Sequence, residues 1–138
     1  MPFKRILCAV DFSRDSLEAF RAATEIARPH SGRLHLFHVV EAQPAAPPEV
    51  TLEILQRANT AMEGLVASEQ SSLEGLTVTT EVGSGLAFRE IVDKAREWRA
   101  DLVSLGSKGH DLFEELVVGG TAEAVLKEAP CSVLVLRR

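Results

Sequence analysis

Short apolar runs alternate along the chain with longer segments in which apolar residues recur every three or four positions. A run such as Ile6–Val10 is typical of a strand buried on both faces, whereas the longer spacing is typical of an amphipathic helix. The predicted strands are Lys4–Val10, Arg33–Val40, Leu76–Val82, Asp101–Leu105 and Ser132–Leu136. This alternation predicts an α/β fold, a doubly wound parallel sheet with helices on both faces.

Each predicted helix has an apolar face, and local signals mark where it starts. Ser13 or Asp15 could cap the first helix, and the second covers about residues 50–73. Gly83–Gly85 precedes the third helix and is interpreted as a turn. The predicted buried faces are Leu17, Phe20, Thr24 and Ala27; Leu55, Ala58, Met62 and Leu65; Phe88, Ile91, Val92 and Ala95; and Ala122, Val125, Leu126 and Ala129. Strict alternation in Leu76–Val82 predicts one solvated face, which places that strand near a sheet edge.

Length and composition restrict the class of protein. The chain has 138 residues, so we expect one domain over residues 1–138 that needs no disulfide or metal to hold its core. No apolar run reaches the roughly 18–20 residues that span a bilayer. The net charge of −5, from 15 basic and 20 acidic residues, argues against nucleic acid as a partner. The first residues lack a small-residue cleavage site, so we expect a cytoplasmic protein with two reduced cysteines.

Two loops at predicted carboxyl ends of strands carry the candidate binding chemistry. Asp11–Ser13 follows the first strand, and Gly106–Gly109 follows the fourth and leads to Gly119–Thr121 at a helix start. Ligands of doubly wound sheets bind at such ends, and helix amides without partners favour an anion. Thr121 could add a hydroxyl donor and Lys108 a positive charge. The residues are compatible with a phosphate cradle, or with an ordinary loop whose glycines serve turns and a helix cap.

The sequence contains no recognisable catalytic or metal-binding motif. It has neither the glycine-lysine loop of P-loop proteins nor a dinucleotide fingerprint after the first strand. His35 and His38 are three apart in a strand, so they point to opposite faces and cannot share a metal ion. We interpret both as packing imidazoles, and we predict no catalytic residue and no metal site.

The spacing Gly106-x2-Gly109-x9-Gly119 resembles the nucleotide-binding loop of the universal stress protein family, in which a Ser or Thr follows. Segments similar to other parts of that family are Ile6–Ser13, Leu34–Val40, Ala100–Val103 and Glu128–Val135. The resemblance covers nearly the whole chain. It implies a fold like that of the adenine nucleotide alpha-hydrolases, with five parallel strands in the order 3-2-1-4-5, and usually a homodimer.

The resemblance also implies a ligand and the residues that would bind it. Many members bind ATP between the first and fourth strands, where Asp11 would contact the nucleoside and the backbone of Val40 would lie against the adenine. The implied nucleotide-binding residues are Ala9, Val10, Asp11, Val40, Gly106, Ser107, Lys108, Gly109, His110, Gly119, Gly120 and Thr121. The family shares no defined reaction, so the implied activity is at most a slow ATPase.

Two features depart from the family pattern. Gly120 occupies the Ser or Thr position, with Thr121 one residue later, so a hydroxyl donor is lost or displaced. The intervening segment carries three carboxylates and two basic side chains: Asp111, Glu114, Glu115, Lys108 and His110. Carboxylates repel a triphosphate unless Mg²⁺ lies between them. The two hypotheses are an ATP-binding regulatory protein with little or no turnover, and a dimeric interaction module that binds no nucleotide and contacts an unidentified protein.

The last predicted strand, Ser132–Leu136, is apolar on both of its faces. The resemblance places it at an edge of the sheet, where an uncovered apolar strand is prone to aggregation. Pairing with the same strand of a second copy would cover that edge by an isologous contact. We therefore expect a homodimer formed through this strand.

Overall fold

The computed structural model describes residues 2–41, 45–107 and 119–137 of the chain. Within these residues the strands are β1 (Arg5–Ala9), β2 (Arg33–Glu41), β3 (Thr77–Gly85), β4 (Leu102–Gly106) and β5 (Ser132–Leu136). The helices are α1 (Arg14–Ala27), α2 (Pro48–Ser68), α3 (Ala87–Glu97) and α4 (Gly120–Glu128). Two short 3₁₀ turns, Arg28–His30 and Gln70–Leu73, follow α1 and α2.

The five strands form one parallel sheet in the order β3-β2-β1-β4-β5. This confirms the predicted fold class and strand order. β1 lies at the centre, where Ile6 is opposite Leu34 on one side and Leu102 on the other. A central strand is covered on both faces, which explains its continuous apolar sequence.

Alternate residues of β1 contribute to two separate cores, one on each face of the sheet. Ile6 and Cys8 pack with residues of α1 and α2, and Leu7 and Ala9 pack with residues of α3 and α4. The helices therefore cover both faces, as predicted. Cys8 is fully buried in the first core, and this burial raises the pKa of its thiol to about 12. It is a packing residue rather than a reactive thiol.

Most of the predicted helix starts and faces are confirmed. Ser13 caps α1, because its hydroxyl oxygen accepts a hydrogen bond from the amide of Ser16 at 3.2 Å. α2 ends at Ser68 rather than near residue 73, where the 3₁₀ turn takes its place. The prediction for Leu126 was wrong, since 49% of its surface is exposed. α4 buries Ala122 and Val125 instead, and the next position is rotated by about 100° away from the sheet.

Gly83–Gly85 belongs to β3 and is not the predicted turn. Gly83 and Gly85 lie opposite Val39 and Glu41 of β2. A side chain at position 83 would bring its Cβ within 3.0 Å of the ring of Phe37. Glycine is therefore needed there so that the aromatic ring can pack across the strand.

The two outer strands of the sheet are β3 and β5. β3 is the strand whose alternating sequence predicted an edge position, and this is confirmed. Residues Val133–Leu136 of β5 stay partly exposed, although they are apolar. Among the described helices, none is both long enough and apolar enough to cross a lipid bilayer.

Candidate functional site

A cavity of about 440 Å³ lies at the carboxyl ends of β1, β2 and β4, beside the N-terminus of α4. We call it the β1–β4 cavity. It lies where the strand order reverses, since the chain runs from β1 outward to β2 and β3 and then returns to β4. Ligands of doubly wound sheets bind at such switch points, and the volume is typical of a small-molecule site.

Eight of the residues predicted to bind a nucleotide line this cavity: Ala9, Val10, Asp11, Gly106, Ser107, Gly119, Gly120 and Thr121. Val40 is partly buried and does not line it, whereas its neighbours Val39 and Glu41 do. The predicted residues Lys108, Gly109 and His110 lie outside the described residues, as do the carboxylates of Asp111, Glu114 and Glu115.

Asp11 is held at the mouth of the cavity by the turn that joins β1 to α1. Its Oδ1 atom accepts a hydrogen bond from the amide of Ser13 at 2.9 Å, and its own amide donates to the hydroxyl of Ser16 at 3.3 Å. Phe12, between them, has a φ of 64°, in the left-handed region that residues with side chains rarely adopt. Such strain is of the order of 1–3 kcal/mol and is found mainly at functional sites.

His38 lines the cavity, although sequence analysis interpreted it only as a packing residue. Its Nδ1 atom lies 2.6 Å from the carbonyl oxygen of Val10. A carbonyl oxygen only accepts, so Nδ1 carries the proton and Nε2 is the acceptor of the neutral ring. The ring also packs against Phe12, at 4.7 Å between ring centroids. Its position near the carboxyl end of a strand next to β1 is the signal that could have identified it.

Part of the cavity lining is apolar. Phe37, Ile91 and Leu105 are buried in the core beneath α3 and α4, and they also line the cavity. We call these three residues the apolar floor. Ile91 was predicted to lie on a buried helix face, whereas Phe37 and Leu105 lie within predicted strands.

The N-terminus of α4 also lines the cavity. Gly119 precedes the helix in extended conformation, and no side chain of the described residues caps the first turn. Gly120, Thr121 and Ala122 all line the cavity. The first amides of a helix have no partner within it, and with the helix dipole they favour an anion. A Cβ atom built on Gly120 meets no atom of the described residues within 4 Å.

Gly106 is a glycine because of its contact with α1. A Cβ atom at this position would lie 2.6 Å from the Cβ of Asp15 and 2.8 Å from the amide nitrogen of Ser16. The sequence argument left two reasons for the loop glycines open, which are the approach of a ligand and the needs of turns and a helix cap. The structure supplies a different reason, which is that the end of β4 packs directly on the first turn of α1.

Ser107 is 1% exposed and has a protein partner for each of its polar groups. Its hydroxyl donates to Oδ2 of Asp15 at 3.1 Å, and its amide donates to the carbonyl of Leu136 at 2.8 Å. Its carbonyl accepts from the amide of Gly119 at 2.5 Å. Ser107 therefore joins α1, the end of β5 and the start of α4.

The charged side chains among the described residues that line the cavity are Asp11 and Glu41. Both are acidic, so in this part of the chain the attraction for an anion comes from the α4 backbone. No group of three or more His, Cys, Asp or Glu side chains in the described ranges is arranged to hold a metal ion.

Comparison with known proteins identifies relatives of the whole chain. A universal stress protein of Methanocaldococcus jannaschii is 31% identical over 141 residues, which cover 99% of this chain and 83% of the relative. The solved structure of universal stress protein UspA from Lactobacillus plantarum has 29% identity and a TM-score of 0.87, and each chain covers 99% of the other.

Two further structures share the fold at lower identity and contain adenine nucleotides. One is the universal stress protein of Archaeoglobus fulgidus in complex with dAMP, at 21% identity and a TM-score of 0.74. The other is a universal stress protein in complex with cAMP, at 18% identity and a TM-score of 0.74. Coverage of this chain is 99% in both. The sequence model of the universal stress protein family matches residues 2–137, and the chain therefore belongs to that family.

Proposed function

We propose that this chain is a regulatory protein of the stress response that binds an adenine nucleotide in the β1–β4 cavity, with little or no turnover. The observation that carries the proposal is the open N-terminus of α4, which faces the cavity beside the apolar floor. One side of the cavity suits a planar base and the other suits a phosphate.

The end of β2 offers backbone groups to the adenine edge. The Val10 amide donates to the carbonyl of Phe37 at 2.9 Å, so Phe37 directs its backbone toward β1. Alternate residues of a parallel strand bond to the same neighbour, so the backbone of Val39 faces this side too. β1 has ended at this level, which leaves those groups open to a ligand. We therefore propose that Val39, rather than the predicted Val40, contacts the base through its backbone.

The phosphate end of the cavity is formed by α4. The amides of Gly120–Ala122 and the hydroxyl of the exposed Thr121 are the donors that the described residues place there. The expected ligand is ATP. Because the charged side chains that line the described part of the cavity are Asp11 and Glu41, we expect a triphosphate to bind together with Mg²⁺, which would offset the repulsion between anions.

The nucleotide complexes of the related proteins support an adenine ligand. dAMP and cAMP differ in the sugar hydroxyls and in the phosphate linkage, but they share the base and one phosphate. Those shared groups are the ones that the apolar floor and the N-terminus of α4 can accommodate.

An interaction module without nucleotide is the second candidate function. The specific observation in its favour is that the charged side chains lining the described part of the cavity are both acidic. For either function we propose a homodimer through Ser132–Leu136, because the apolar residues of this edge strand are only partly buried within one chain. In the second function the dimer would present a surface to a protein partner.

Nucleotide release from the purified protein is the first test. The protein is purified without added nucleotide and denatured, and the supernatant is analysed for nucleotides. Titration calorimetry with Mg-ATP, AMP and Mg-GTP follows on the same preparation. We expect adenine nucleotides to bind with micromolar dissociation constants and GTP to bind more weakly. Absence of both released nucleotide and heat up to about 1 mM ATP, a binding free energy near −4 kcal/mol, would favour the interaction module.

A matched pair of variants tests the role of α4. Gly120→Asp adds a carboxylate at the helix start, where it stabilises the helix but repels a phosphate. Gly120→Asn has nearly the same shape without the charge, and among the described residues no atom lies within 4 Å of a Cβ at this position. We expect Gly120→Asp to bind AMP and Mg-ATP at least about tenfold more weakly than Gly120→Asn, a difference of roughly 1.4 kcal/mol. Equal affinities would place the phosphate elsewhere.

A further inference from the structure

We propose that Asp15 is a positioning residue for the nucleotide, which acts through Ser107 to hold Gly119 and so to aim the first amides of α4 into the β1–β4 cavity. The inference rests on the proposed function, because it concerns the geometry of the phosphate end of that site. Asp15 is not among the residues that line the cavity, and Ser13 rather than Asp15 caps α1.

The contacts that position Gly119 start from Asp15, which is held in place by its neighbours. Asp15 lies in the first turn of α1 and is 7% exposed. Its backbone and Cβ are pressed against Gly106, where any larger residue would overlap it. A buried carboxylate in close contact with the end of β4 has little freedom to move, so it provides a fixed acceptor for a neighbouring donor.

Ser107 transmits this position to the other end of the loop. Its hydroxyl proton is directed at Asp15 Oδ2, at 3.1 Å, which fixes the orientation of the residue. Its carbonyl then receives the amide of Gly119, the residue directly before α4. The hydroxyl of Ser107 is thus directed toward the protein, and its effect on a ligand is indirect.

The position of Gly119 sets the direction of the helix amides. Gly120 and Thr121 follow Gly119 without an intervening residue, and their amides point out of the first turn of α4. A small rotation at Gly119 would turn these donors away from a phosphate. Because the donors in this part of the site are backbone groups, their placement determines affinity.

A second buried serine provides a matched control. Ser104 is 0% exposed, and its hydroxyl also donates to α1, at 2.8 Å from the carbonyl of Ala19. It lies three residues before Ser107 in the chain but does not line the cavity. Ser104→Ala and Ser107→Ala each remove one buried hydroxyl that binds α1, so the two variants have comparable structural costs.

The experiment compares Ser107→Ala, Ser104→Ala, Asp15→Ala and Asp15→Asn in the full chain. Mg-ATP and AMP affinities are measured by calorimetry, unfolding by urea, and amide hydrogen exchange at Gly119 by NMR. We expect Ser107→Ala and Asp15→Ala to weaken both ligands about fivefold, the value of one hydrogen bond near 1 kcal/mol. Asp15→Asn should stay close to wild type, since its amide oxygen can accept the Ser107 proton. Ser104→Ala should lose stability but keep its affinity.

A double variant tests whether Asp15 and Ser107 affect nucleotide affinity through the same contact. Asp15→Ala/Ser107→Ala should bind no more weakly than either single variant, because both remove the same contact. Gly119 should exchange faster in the Ser107 and Asp15 alanine variants than in Ser104→Ala.

The inference is overturned if Ser107→Ala and Ser104→Ala change affinity equally, or if Asp15→Asn behaves like Asp15→Ala. If the wild-type chain binds no adenine nucleotide, the proposed function fails. Gly119 exchange then decides the structural claim alone: equal rates in the two serine variants would overturn it, and faster exchange in Ser107→Ala would support it.

Discussion

The Nδ1 atom of His38 lies 2.6 Å from the carbonyl oxygen of Val10, at the level where β1 and β2 separate. The next rung of this parallel ladder would join that carbonyl to the amide of Val39. The carbonyl instead accepts from the imidazole, and the described bonds include none from Val39 to Val10. His38 therefore satisfies the end of β1 while it leaves the Val39 backbone open to the cavity.

Replacing His38 with Ala tests this arrangement. The variant frees the Val10 carbonyl to bond with the Val39 amide, which would close the edge that we assign to adenine. We expect adenine nucleotide affinity to fall about fivefold, consistent with loss of one hydrogen bond. His30→Ala is the control, since His30 is exposed in the turn after α1 and distant from the cavity residues. Calorimetry with AMP measures both, and equal affinities would mean that His38 has no part in binding.

Substitution by alanine should have opposite effects on stability at Gly106, the last residue of β4, and at Gly120, the first residue of α4. Gly106→Ala forces a Cβ to within 2.6 Å of Asp15, and such overpacking costs typically about 1–3 kcal/mol. At Gly120, a helical position, an added Cβ meets no atom of the part of the chain that the structure describes, so Gly120→Ala should stabilise the chain by up to about 1 kcal/mol. Urea unfolding measures the two free energies. A Gly106→Ala variant as stable as wild type would contradict the packing described at α1.

Glu81 should contribute to stability near neutral pH and lose that contribution in acid. Burial raises the pKa of Glu81. Hydrogen bonds from His35 and Lys94 and the charge of Lys94 lower this pKa by more than burial raises it, so it lies below its usual value. Its carboxylate is 2.9 Å from Nε2 of His35 and 3.0 Å from Nζ of Lys94. A group with a lowered folded-state pKa stabilises above its unfolded value, about 4.3, and stops doing so as pH falls through the folded value.

Glu81→Gln should therefore be less stable than wild type near neutral pH. The difference in the free energy of unfolding between the two should become smaller as the pH is lowered into the acid range. Glu97→Gln is the control, because that carboxylate is 3.6 Å from Lys94 and 74% exposed. Its deficit should be small at every pH, as for other exposed ion pairs. Urea unfolding across the acid range measures this, and a constant deficit for Glu81→Gln would refute the assignment.

The proposed dimer can be tested at both edges of the sheet. Val133→Lys places a charge in the partly buried edge strand β5, and we expect it to convert a dimer into a monomer. Thr77→Lys makes the same change at the exposed start of β3 and should leave the dimer intact. Light scattering at about 50 µM distinguishes these states, since dimerisation depends on concentration. If the wild-type chain has the mass of a monomer at this concentration, the proposed dimer is ruled out.

The strands were predictable because burial on both faces leaves a direct mark on the sequence, whereas their order was implied by the family resemblance. β1 is apolar at every position from Ile6 to Ala9, whereas β3, at an edge of the sheet, is partly or fully exposed along its whole length. Gly83 was misassigned because its reason is distant in sequence: the ring of Phe37 occupies the space a side chain would need. Local residue preferences contain no information about such a neighbour.

The described parts of the two candidate loops line one cavity, but the roles of their residues were not accessible from spacing alone. Gly106 looked like a point of ligand approach until its contact with α1 was visible. His38 looked like half of a pair of packing histidines, because nothing in the sequence shows that β1 ends where that ring begins. Each role depends on which element lies opposite, and only the assembled fold determines this.

The hydrogen bond between Gly119 and Ser107 joins the residue that precedes α4 to the residue that follows β4. Once the ends of a loop are fixed, doubling its length costs only about 0.6 kcal/mol of chain entropy. The scaffold can therefore tolerate insertions or deletions between these two residues without disturbing β4 or α4. Evolution could thus exchange this segment among relatives, and protein engineers could graft new sequences into it, while the sheet beneath remains unchanged.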